Sequence, residues 1–87
     1  MFQLTQLRCF VAVATELHFG RAATSLSMTQ PPLTRQIQLL EHEVGVRLLE
    51  RSGGSVRLTP AGAVFLREAE DILRRSEAAT LDARRGP

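Results

Sequence analysis

A chain of 87 residues suffices for one domain, burying roughly 60–65% of its unfolded surface, which excludes a multidomain enzyme. Its 44% apolar content excludes a disordered chain, and its longest apolar run, Phe10–Ala14, is far short of the roughly 20 residues of a membrane span. The net charge is only +2, yet all eleven cations are arginine and the whole positive surplus falls within residues 1–60. Met1–Gln6 has no basic start leading into an apolar block, so no secretory leader is expected. The single cysteine, Cys9, has no partner for an internal disulfide, and a cytoplasmic location is expected.

In chain order, Leu4, Leu7, Phe10, Val11, Ala14 and Leu17 recur at spacings of three and four and predict a first helix over 5–16. Cys9 falls at the edge of its packed face, where a buried, inert thiol is expected. Gly20 is read as an N-cap for a short second helix over 21–26, whose small Ala22 and Ala23 admit a closely crossing neighbour. Ser27-Met28-Thr29 is a tight connection. Thr29 then caps a third helix over 30–43, with Pro31 and Pro32 in the first turn, where no N–H is needed, and Gly45 as its stop. Its apolar stripe is Leu33, Ile37, Leu40 and Val44. Gly53-Gly54-Ser55 separates two short runs and predicts a β-hairpin over about 48–58. Thr59-Pro60 opens a last helix reaching about residue 83, with one apolar row of Ala61, Phe65 and Ile72 and another of Leu66, Ala69, Leu73 and Ser76. The stripe is wider and longer than a 60-residue body is expected to cover, so the stretch from Ala69 onward is read as a dimerisation surface.

Enzyme chemistry is not in view. His18, His42 and Cys9 stand in no metal-ligand spacing, Gly53-Gly54 lacks the lysine of a phosphate loop, and Glu70-Asp71 beside Arg74-Arg75 reads as helical ion pairing. The outer face of the third helix is different. Opposite its apolar stripe it carries Gln30, Thr34, Arg35 and Gln38, the amide, hydroxyl and guanidinium groups that hydrogen-bond base edges, with acids only at its far end, Glu41 and Glu43. A solvated face would pair its charges along its whole length, and a module that uses the same fold to bind protein would be apolar there. Arg51 and Arg57 flank the hairpin, which after a helix-turn-helix acts as a wing or as a plain structural hairpin.

The run Leu7–Ala14, the segments His18–Ala23 and Leu26–Ile37, and then Leu40-Glu41, Val44-Gly45-Val46, Leu48–Arg51 and Leu58–Gly62 closely resemble the N-terminal DNA-binding domain of LysR-type transcriptional regulators over nearly the whole chain. The resemblance implies a mostly α fold: a winged helix-turn-helix over 1–59, with the helix-turn-helix at about 19–38 and the wing at about 48–58, followed by a linker and dimerisation helix over 60–87. It implies sequence-specific binding of double-stranded DNA by a homodimer on an interrupted palindrome, with the two linker helices antiparallel. RNA polymerase is a further implied partner. A small-molecule effector would bind a separate domain absent from this chain, which itself needs no cofactor, metal or membrane. Gln30, Pro31, Thr34 and Arg35 match recognition-helix positions that touch DNA, and Arg51 matches an arginine at the wing base, which could also hold the hairpin through a Glu or backbone contact. Thr29, Pro32, Gln38 and Ser55 join them as candidate DNA-binding residues, with Gly20, Arg21 and Gly54 as secondary candidates; Leu66, Ala69, Ile72, Leu73 and Ser76 are the candidate dimer interface. Two departures stand out: Gly20 replaces a common Ser or Thr, removing a side-chain phosphate contact, and Gly54 replaces a common basic residue at the wing tip.

Overall fold

The computed structural model describes residues 1–52 and 55–87. Helix α1 spans Leu4–Glu16, α2 Phe19–Ser25, α3 Gln30–Val44 and α4 Pro60–Arg85; strands β1 (Leu49–Ser52) and β2 (Ser55–Leu58) lie between α3 and α4. The strands pair antiparallel, Leu49 opposite Leu58 and Ser52 opposite Ser55. Expected and observed boundaries agree within two residues.

The helical stripes meet in one core. Leu7, Phe10 and Val13 of α1 pack with Leu33, Ile37 and Leu40 of α3 and with Leu48, all essentially inaccessible to solvent. Ala22 and Ala23 are buried as well, which lets α2 lie close against its neighbours. Cys9 belongs to the core rather than to its edge, and burial pushes its thiol pKa up. Leu17, expected on the apolar face of α1, instead ends that helix in a left-handed conformation (φ 51°, ψ 34°) with its N–H donated to the Val13 carbonyl at 2.7 Å, and it is about half exposed.

Two polar anchors hold the wing to the helices. The Glu41 carboxylate on α3 accepts the Leu48 and Leu49 N–H groups at 2.7 and 3.1 Å. Thr59 caps α4 by accepting the Gly62 N–H at 2.9 Å, and its hydroxyl donates to the Arg47 carbonyl at 2.7 Å. Gly62 is pressed so close to the wing that a Cβ there would stand 2.0 Å from the Leu48 carbonyl oxygen.

Helix α4 departs from the expected division of its apolar rows. Phe65 closes over α1 as expected, edge-on to Phe2 and Phe10 with ring centroids 5.8 and 5.6 Å away. The protein's own body reaches further, however. Ala69, expected at a dimer interface, is completely buried within the chain, and Leu66, Ile72 and Leu73 are half buried against the same core. The reason is that α1 packs along α4, so coverage extends to Leu73. From Arg74 on, no described residue of α4 is buried. The architecture is a three-helix body with a two-stranded wing and a long carboxy-terminal helix, a winged helix-turn-helix.

Candidate nucleic-acid interface

The start of α3 is exposed. Gln30, Pro31, Pro32, Arg35 and Gln38 face solvent, while Thr34 is half buried and turned toward Phe19 and Arg51. Thr29 precedes the helix in extended conformation and its side chain makes no capping bond, leaving the hydroxyl available. Pro31 and Pro32 occupy the first turn without loss, because those N–H groups have no partner inside the helix. Arg35 makes no ion pair with any described residue. Glu41, the first acid along α3, is occupied with the wing's N–H groups and lies 3.6 Å from Arg47, so its charge is directed away from the exposed amino-terminal half.

Across from this helix end stands the wing, and between them lies a cleft of about 460 Å³ lined by His18, Gly20, Gln30, Arg51, Ser52 and Ser55. Arg51 reaches it by stacking its guanidinium over the Phe19 ring, 3.6 Å from the centroid. Of the anchors expected for Arg51, a Glu is not the one used: the acid beside it, Glu50, pairs instead with Arg57 across the hairpin at 3.4 Å. Arg51 is therefore held by an aromatic face while its N–H groups stay free of any acid among the described residues. Ser55 donates its hydroxyl to the Ser52 carbonyl at 2.8 Å, which leaves its oxygen as an acceptor only. Gly54, the expected wing-tip position, and Gly53 lie outside the described residues.

One sequence expectation about α2 changes. The N-cap is His18, not Gly20: its Nδ1 accepts the Arg21 N–H at 3.0 Å and the helix begins at Phe19. Histidine is not among the favoured capping residues, so composition gave no cue. Arg21, a candidate for DNA, is tied back to α1, donating to the Glu16 carbonyl at 3.2 Å and standing 3.5 Å from the Glu16 carboxylate.

An exposed helix amino terminus rich in amide and guanidinium groups, facing an arginine-bearing wing, defines a DNA-binding domain of the winged helix-turn-helix class. Residues 4–63 match the family model described as "Bacterial regulatory helix-turn-helix protein, lysR family", and the chain belongs to that family. It is 53% identical over 83 residues to the Escherichia coli K12 regulator YnfL, covering 95% of this chain and 28% of that protein, and 59% identical over 64 residues to AlsR of Bacillus subtilis 168, covering 74% of this chain and 21% of that protein. The chain thus spans about a quarter of the length of such relatives. Among solved structures, a CbnR DNA-binding domain in complex with DNA superposes with a TM-score of 0.93 at 42% identity, covering 95% of both chains. A BenM DNA-binding domain on benA site 1 DNA does so at 0.92 and 43%, covering 97% of this chain and 94% of that one. These relatives are named as transcriptional regulators, and the solved chains that the whole of this fold superposes on are DNA-binding domains.

Proposed function

We propose that this chain reads a specific sequence of double-stranded DNA by placing the amino-terminal half of α3 in a major groove, with Arg51 and the wing against the adjoining backbone. One observation carries this reading: Gln30, Arg35 and Gln38 are exposed on one helix with no competing acid before Glu41, and that carboxylate is engaged by the wing. Amide and guanidinium groups supply the donors and acceptors that distinguish base pairs. Thr29, Pro31, Pro32 and Thr34 line the approach, and phosphate contacts supply affinity rather than sequence preference. The DNA complexes of the similar CbnR and BenM domains support the assignment. A protein-docking face would need a contiguous apolar patch, and Leu39 is the one exposed large hydrophobic on α3 among the described residues.

The finer reading is a homodimer on an interrupted palindrome. Two α3 helices enter successive major grooves, joined through the half-exposed flanks of Leu66, Ile72 and Leu73 together with Ser76 on antiparallel α4 helices. In the whole regulator a small-molecule effector would act through a separate domain, in contact with RNA polymerase, in the cytoplasm on the nucleoid. Among the described residues, no helix is long and apolar enough to cross a membrane.

The test is binding to a duplex selected from a random library by the chain itself. Arg35→Ala and Gln30→Ala should each weaken the selected duplex by about 1–3 kcal/mol, leaving helix content and melting temperature unchanged because neither side chain is in the core. Affinity should fall with salt at a log–log slope of about −0.9 per phosphate neutralised. No enrichment from the library, or full affinity in both variants, would overturn the assignment.

A further inference from the structure

Position 18 holds a side chain that does more than cap a helix. The His18 backbone is extended (φ −158°, ψ 116°), and accepting the Arg21 N–H at Nδ1 fixes the ring against the first turn of α2. An ideal Cβ placed on Gly20 would stand 2.9 Å from His18 Cε1, 3.2 Å from its Nδ1 and 3.4 Å from Gln30 Nε2. The imidazole and the Gln30 amide therefore crowd over the same patch of backbone, a patch left bare by the absence of a side chain at residue 20. His18 and Gln30 also line the same cleft facing the wing.

We infer that His18 is a positioning residue for base recognition: its imidazole, seated over Gly20, walls in the Gln30 side chain at the start of α3 and orders it before DNA arrives. This rests on the proposal that Gln30 reads a base. A glutamine on an exposed helix end samples several rotamers, and binding must then select one; a wall already in place removes part of that ordering cost. It also explains why glycine is suited to position 20 here, since a side chain would displace the ring. With Nδ1 committed as an acceptor, the proton of the neutral ring sits on Nε2, so the ring keeps a donor as well.

The experiment uses the chain and a duplex it selects from a random library, with three further duplexes that vary the base pair at which Gln30→Ala loses discrimination. His18→Asn keeps an oxygen that can cap α2 but is too short to cover Gly20; His18→Ser serves the same purpose if the asparagine variant folds poorly, and thermal melting identifies the folded variant. In either, discrimination at that base pair should fall roughly three- to tenfold, with affinity for a scrambled duplex unchanged. In a Gln30→Ala background the same substitution should have no effect on discrimination, giving a coupling that a cap alone does not produce. Full discrimination in a folded His18 variant, or an equal loss with and without Gln30, overturns the inference. So does a Gln30→Ala variant that keeps every base preference, which leaves DNA reading to other residues. Failure of the wild-type chain to select any sequence overturns the DNA assignment itself.

Discussion

Individual residues in this chain hold conformations that their chemistry does not favour, and these are points where substitution has a definite sign. Leu17 adopts a left-handed backbone at the end of α1 while lying outside the core cluster. A leucine in that region carries about 1–2 kcal/mol of steric cost, which glycine does not, while glycine adds about 0.5–1 kcal/mol of chain entropy. Leu17→Gly should therefore stabilise the domain by about 0.5 kcal/mol, raising the melting temperature by about 2–4 °C; a drop in calorimetry would show that the half-buried leucine packs more than its position suggests. Cys9 is the opposite case, a residue with reactive chemistry kept silent by its surroundings. Burial disfavours the thiolate and pushes the thiol pKa up, so iodoacetamide at pH 8 should label Cys9 slowly in the native protein and rapidly in urea, as mass spectrometry would record. Rapid native labelling would mean that α1 opens readily.

At the scale of elements, the junction between wing and α4 is closely fitted. Thr59 caps α4 and simultaneously bonds the Arg47 carbonyl, the Thr59 N–H reaches the Leu48 carbonyl at 3.0 Å, and Gly62 lies flush against that same carbonyl. Gly62→Ala cannot be absorbed by a rotamer change because the obstacle is backbone. It should cost about 1–3 kcal/mol and speed amide exchange in β1 before it affects α1, so exchange confined to α4 would place the strain elsewhere. Much of this architecture was legible in the chain itself. Apolar spacing of three and four found the stripes of α1 and α3, proline in the first turn found the starts of α3 and α4, and Gly53-Gly54 found the hairpin, because each signal is local. The illegible parts depend on contacts between distant residues. Arg51 finds Phe19 rather than a glutamate because the fold brings the first residue of α2 against the wing base, and His18 caps α2 because its ring fits over Gly20. Ala69 is interior because α1 runs alongside α4, a matter of helix packing that periodicity along one helix does not express.

The whole molecule measures 53 × 26 × 19 Å, and its length comes from α4. Twenty-six residues make a helix of about 39 Å, yet among the described residues the hydrophobic side chains of α4 that pack on the core end at Leu73, and its last turns are mostly exposed. An isolated stretch of that size is only marginally helical in water, so a second copy that packs against it would stabilise both. Ile72→Asp with Leu73→Asp would disturb the core that half covers those side chains, whereas Ser76 is only partly buried and outside that core cluster, and a charge there should leave the fold intact. Wild-type chain should sediment as a dimer at tens of micromolar, and Ser76→Arg should shift it toward monomer without lowering the melting temperature of the body. On DNA the same variant should lose far more affinity for a duplex with two half-sites than for a single half-site, because only the former depends on two α3 helices held at one spacing. A wild-type chain that stays monomeric at high micromolar concentration, free and on the two-site duplex, would end the dimer proposal.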